Sequence, residues 1–106
     1  MAKFLVKASY TVEGTKGVRS GGGTSRREAV AKMAEGLGGR LESFYFAFGE
    51  TDAYVVLDMP DNTAAAACSL AVTSVGAAAT EMVVLLTPEE IDAAAKMSVD
   101  YRPPGA

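Results

Sequence analysis

The chain contains no histidine. That absence removes the Ser-His and Cys-His arrangements that activate many nucleophiles, and with them the commonest transition-metal ligand. Only one cysteine, Cys68, stands among the 106 residues. No intrachain disulfide can form, and scattered carboxylates without histidine have no zinc-site spacing, so neither a metal nor another cofactor is expected. A lone thiol at the end of a run of alanines suits a reducing compartment. No apolar run approaches the ~20 residues that a membrane-spanning helix needs. Met1-Ala2-Lys3 runs straight into a strand-like segment with no signal-peptide architecture, so the expected location is the cytoplasm. Bases are also in short supply. With 10 Lys and Arg against 13 Asp and Glu the net charge is −3, which argues against nucleic acid or an anionic membrane as partner, since both select a basic surface.

What remains is an ordinary globular composition, 49% hydrophobic and 22% charged, sufficient for one core and not two. One domain is expected over 1–106, with its core in 3–87 and a C-terminal helix and tail in 88–106. Residues 3–10 alternate, with Phe4, Val6, Ala8 and Tyr10 on one face and Leu5, Lys7 and Ser9 on the other, the period of a strand. Gly14, Gly17 and Gly21–Gly23 predict a flexible loop over 14–23. Ser25 with Glu28 reads as a capping box that opens a helix carrying Val30, Met33, Ala34 and Leu37 at helical spacing, and Gly38-Gly39 stops it.

Residues 40–48 and 52–59 read as strands joined by the tight turn Gly49–Asp52. Asp61 is a good N-cap for an alanine-rich helix through about Val75, which Gly76 ends. Residues 80–87 make a fourth strand. Thr87-Pro88-Glu89-Glu90 opens a short helix, and Arg102-Pro103-Pro104 predicts an extended tail. The order is βαββαβ plus a helix. It predicts an α+β, ferredoxin-like antiparallel sheet of strand order 4-1-3-2, with two helices on one face.

Two helices cover one face of such a sheet, so a monomer should be polar on the other. Strict alternation instead puts Phe44, Phe46 and Phe48 on one face of the second strand and Leu41, Tyr45 and Ala47 on the opposite face. Leaving a phenylalanine in water forfeits roughly 1.5–3 kcal/mol relative to burial. A homo-oligomer joined through the open sheet face is therefore expected.

The same topology gathers Tyr10, the segment 14–23, Arg26, Arg27, Gly49–Asp52 and Gly76–Thr80 at one end of the sheet. The glycines and arginines suggest a small-molecule or anionic ligand, although neither GxxxxGK[ST] nor GxGxxG is present. Solvated arginines beside a loop are the plainer reading. Asp52 is the candidate proton acceptor, against the alternative that it closes the hairpin. Tyr10, Tyr45 and Tyr54 are candidate phenol donors and Thr80 a candidate hydroxyl, although tyrosines on strands more often serve packing. Cys68 reads as a small buried side chain.

An ordered set of short motifs carries a resemblance. It comprises Tyr10-Thr11 followed by Gly14, Gly22-Gly23-Thr24 with Arg26-Arg27-Glu28-Ala29, Leu37-Gly38-Gly39, Phe48-Gly49-Glu50-Thr51-Asp52 and Met59-Pro60-Asp61. It continues with Gly76, Leu86-Thr87-Pro88-Glu89-Glu90 and Tyr101-Arg102-Pro103-Pro104-Gly105. Together they resemble the GYD-domain family of small bacterial proteins over nearly the whole chain. The resemblance implies a ferredoxin-like, dimeric α+β barrel; it implies no reaction and no catalytic residues. Thr51 stands where the tyrosine of the family's Gly-Tyr-Asp would be. The expected function is an oligomeric ligand-binding or structural protein. The alternative is a cofactor-independent enzyme acting on a small organic substrate at the end of the sheet.

Overall fold

The computed structural model describes residues 1–105. Strand β1 (Ala2–Tyr10) is followed by two helices, α1 (Val12–Gly21) and α2 (Gly23–Gly36). Strands β2 (Arg40–Phe46) and β3 (Ala53–Met59) form a hairpin. Helix α3 (Asn62–Ser74), strand β4 (Ala78–Leu85) and helix α4 (Pro88–Ala95) complete the order. The strands form one antiparallel sheet, β2-β3-β1-β4, which is the expected order 4-1-3-2 read from the other edge.

Helix α1 corrects the expectation of a loop over 14–23. Three glycines within ten residues weaken a helix, but both ends of this one are held. Thr11 caps it, its hydroxyl accepting the Gly14 N–H at 3.2 Å. The same hydroxyl donates to the Gly76 carbonyl at 2.8 Å, while the Thr11 N–H donates to Ala77 O at 3.0 Å. Glu13 in the first turn and Arg19 in the last suit the helix dipole. Gly14 is required by close approach, because a Cβ there would collide with the Ala77 carbonyl. At Gly22 the backbone turns to φ +84°, separating α1 from α2. Consequently α2 begins at Gly23, with no side-chain cap, and the expected Ser25 capping box does not start it.

Strand β2 carries a second correction. A bulge between Leu41 and Ser43 breaks the alternation, so that Leu41 faces Leu57 while Phe44 faces Val55. Leu41 and Phe44 thus share the helix-covered face, and strict alternation mis-assigned Leu41. Phe46 also lies on this side, with its ring 5.0 Å from Phe44 and against the backbone of Gly23. Phe48 falls beyond the strand and is fully exposed. The three phenylalanines therefore do not line the open face. Strand β4 starts two residues earlier than expected, because Tyr10 and Ala78 continue the β1–β4 ladder to the end of β1.

The core lies between the sheet and helices α2 and α3. Phe4, Val6, Val55, Leu57 and Met59 pack against Val30 and Ala34 of α2 and Ala65 and Cys68 of α3. Asp61 caps α3 through the Ala64 N–H at 2.8 Å, as its sequence suggests. The open face is mixed rather than uniformly apolar. Val56, Leu5 and Val83 form a row across β3, β1 and β4. On one side of that row Asp58, 4% exposed, accepts from Lys3 Nζ at 3.0 Å and from Arg40 Nε at 3.0 Å. Lys3 also reaches Glu42, and Lys7 lies 3.8 Å from Glu81 on the other side of the row. Helix α4 opens with a complete Thr87–Glu90 capping box, yet every residue from Pro88 to Gly105 is exposed.

Candidate ligand cleft between the helices and the sheet

Three sequence-predicted residues meet on the covered side of the sheet. Helix α2 directs residues 26, 30, 33 and 34 toward the sheet, the spacing of one helical face. Val30 and Ala34 are buried there and Met33 packs beside them. Arg26 occupies the first position of this otherwise apolar stripe. Its neighbours include Tyr10 from the end of β1 and Thr80 from β4, and together they border a cavity of about 40 Å³ floored by Val55 and Leu57. That is room for about three waters or a small apolar group. Arg26, Val30, Met33 and Val72 continue outward into a groove of about 180 Å³ between α2 and α3. On its other side Arg26 borders a depression of about 280 Å³ between α1 and α2, shared with Tyr10 and Ser25.

Arg26 is electrostatically incomplete. Its Nε is buried and has no hydrogen-bond partner, and among the described residues no ion pair reaches its guanidinium. An unsatisfied buried donor costs roughly 1–3 kcal/mol. Nearby polar groups are already engaged: the hydroxyls of Ser69 and Thr80 lie 2.8 Å apart and bond each other. The Cys68 thiol, also on the cavity wall, is pushed up in pKa by burial, which suits packing and not nucleophilic attack.

The other predicted residues lie elsewhere. Arg27 is exposed, one residue and hence about 100° around the helix from Arg26. Tyr45 and Tyr54 are cross-strand neighbours on the open face, 71% and 40% exposed. Asp52 does sit at the expected end of the sheet. Its Oδ2 accepts the Tyr10 N–H at 2.8 Å, while its backbone donates to Ala8 O and accepts from the Ala47 N–H. The carboxylate thus ties the hairpin to β1, the neighbouring strand, and not to its own turn. Among the described residues no three His, Cys, Asp or Glu side chains are grouped to hold a metal, and no helix is long and apolar enough to cross a membrane.

The Lys3–Asp58–Arg40 cluster escaped sequence reasoning. Its carboxyl is held below the usual range, first by the Lys3 hydrogen bond and, against the opposing effect of burial, by Arg40. Lys3 is correspondingly raised by Asp58 and Glu42. The available signal was the register, which places Lys3 and Arg40 on either side of Asp58.

Residues 4–95 match the GYD domain. The chain belongs to the GYD-domain family. No curated protein and no solved structure matches it. In this GYD domain no residue of the Gly49–Asp52 turn borders the Arg26 cavity. Thr51 instead borders a depression of about 260 Å³ with Lys7, Ser9 and Glu81. The residues that make the covered cleft of this GYD domain come from all four strands and from α2 and α3, so no single short motif encodes it.

Proposed function

We propose that this GYD domain is a binding protein for a small organic acid, held in the cleft between α2, α3 and the sheet. One observation carries the reading: the guanidinium of Arg26, with its buried and unpartnered Nε, stands at the mouth of an apolar cavity. A carboxylate or comparable oxyanion would satisfy that donor, and charge-assisted hydrogen bonds of this kind are worth about 1.5–3 kcal/mol. The apolar part of the acid would lie along Val30, Met33 and Val72. Arg is suited to the task, since its planar fork meets both carboxylate oxygens at once.

The test is ligand-observed NMR with a panel of short-chain and single-ring carboxylates, each matched to its neutral amide. Acids should bind and amides should not, and Arg26→Gln should weaken the acids by roughly 10–150-fold. Equal binding of acid and amide, or binding indifferent to Arg26→Gln, would sink the proposal. No observation favours proton transfer by Asp52, whose carboxylate is engaged by the Tyr10 N–H.

The second part of the reading is a homodimer in which two ferredoxin-like sheets pack open face to open face as a dimeric α+β barrel. Supporting it are the row Leu5, Val56 and Val83, flanked by Tyr45 and Tyr54. The charges of the face are paired within the protomer. A face that is internally neutral can meet an identical face without repulsion.

A further inference from the structure

We infer that the C-terminal arm, residues 86–105, packs on a second copy of this chain and completes an interface that the sheet alone is too small to make. The inference rests on the dimer reading above and adds to it a second contact surface. The large apolar side chains of the arm are not buried in their own protomer. Leu86, Ile91, Met97, Val99 and Tyr101 are all more than half exposed, from 51% at Ile91 to 76% at Val99. The radius of gyration is 16.8 Å and the longest extent 57 Å, whereas a compact chain of this length has a radius near 13 Å.

The helix in the arm sharpens the point. Eight residues are too few for an isolated helix to be stable in water, where about 12–15 are marginal. Yet α4 has a complete capping box, with proline in its first turn. A start signal this thorough, on a helix with no buried residue, calls for tertiary contact from elsewhere.

Size identifies the occupant. Four strands about 4.8 Å apart and roughly 23 Å long offer on the order of 450 Å² of sheet face per protomer, against about 800 Å² in a standard stable interface. The deficit is what an arm supplies. Eight helical residues and ten extended ones reach roughly 45 Å, more than twice the width of such a sheet, so an arm leaving β4 can cross the partner. A second copy also accounts for the exposed apolar side chains of the arm and for the apolar row of the open face.

Sedimentation velocity of the full chain, compared with the full-length double variant Ile91→Glu, Val99→Glu, tests this directly. Both side chains are exposed in the protomer, so the variant should melt as an isolated protomer does. The full chain should be dimeric, and the variant should dissociate with Kd raised about tenfold or more. Hydrogen exchange supplies an independent readout: α4 amide protection should rise with protein concentration. A dimer with unchanged Kd in the variant, or α4 protection independent of concentration, overturns the arm's role while leaving the sheet-to-sheet dimer standing. A full chain that stays monomeric at high concentration overturns both.

Discussion

Replacing Arg26 with methionine removes what is, among the described residues, the one buried side-chain nitrogen or oxygen that no partner satisfies. The substitution keeps an unbranched stem and a nearly equal helix propensity, so the backbone of α2 should not register the change. The orphaned Nε costs roughly 1–3 kcal/mol in the empty protein. The rest of the guanidinium is only partly covered, so about 1 kcal/mol is the recoverable share. Extra stability should come from the methionine thioether against Val30, Met33 and Val72, which line the same groove. For a domain of this size about 1 kcal/mol raises Tm by roughly 4–8 °C. Urea denaturation is the assay: the midpoint should rise with its slope unchanged, since the exposed area on unfolding hardly alters. Carboxylate binding should vanish in the same protein. Arg26→Lys, which keeps a charge but discards the Nε, should fall between the two in affinity. A methionine variant less stable than the parent at constant slope would mean that the guanidinium already has its partners, and the cleft reading would fall with it.

Asp58→Asn should destabilise the protein by about 1–3 kcal/mol in urea, because it leaves Lys3 and Arg40 without their carboxylate acceptor. The pH dependence follows from the depressed carboxyl. A folded pKa below the unfolded one contributes stability at all pH above the unfolded value, and loses it as pH falls through the folded value. The parent should therefore weaken below about pH 4, with a shallower acid limb in Asp58→Asn, both measurable by denaturation across pH. Two glycines of α1 should respond oppositely in thermal melts. Gly14→Ala, which collides with the Ala77 carbonyl, should lower Tm, whereas Gly17→Ala, with open space around its Cβ, should stabilise by about 0.5–1 kcal/mol.

How far the sequence speaks depends on how local the deciding physics is. Asp61 and Thr87 cap their helices as their neighbours suggest, because a cap is settled within four residues. Strand order was legible for a similar reason, since hairpins and crossovers leave few choices. Helix α1 was not, because what favours it comes from Gly76 and Ala77, far along the chain, while the local glycines argue for a loop. The bulge at Leu41/Ser43 was invisible to a count of two, and it moved Leu41 across the sheet. The candidate site was half legible. Tyr10, Arg26 and Thr80 meet because topology brings their elements to one place. Arg27, Tyr45 and Tyr54 do not, because one residue of helix rotation or one step of strand parity turns a side chain away.

The hydroxyl of Thr11 has a consequence in the order of folding. It joins the start of α1 to a carbonyl 65 residues later, and the Ala77 carbonyl adjoining it receives the Thr11 N–H. Such closures come late, because the chain must already have returned through α3 before either contact exists. Helix α1 should thus condense on a sheet that is already formed. Thr11→Val should then speed unfolding and leave the folding rate nearly unchanged in stopped-flow chevrons; slowed folding would place α1 in the nucleus instead. A segment that closes last on the way in is also the first to open on the way out. Here it is the wall of the depression beside Arg26, which gives a ligand a way in without disturbing the core.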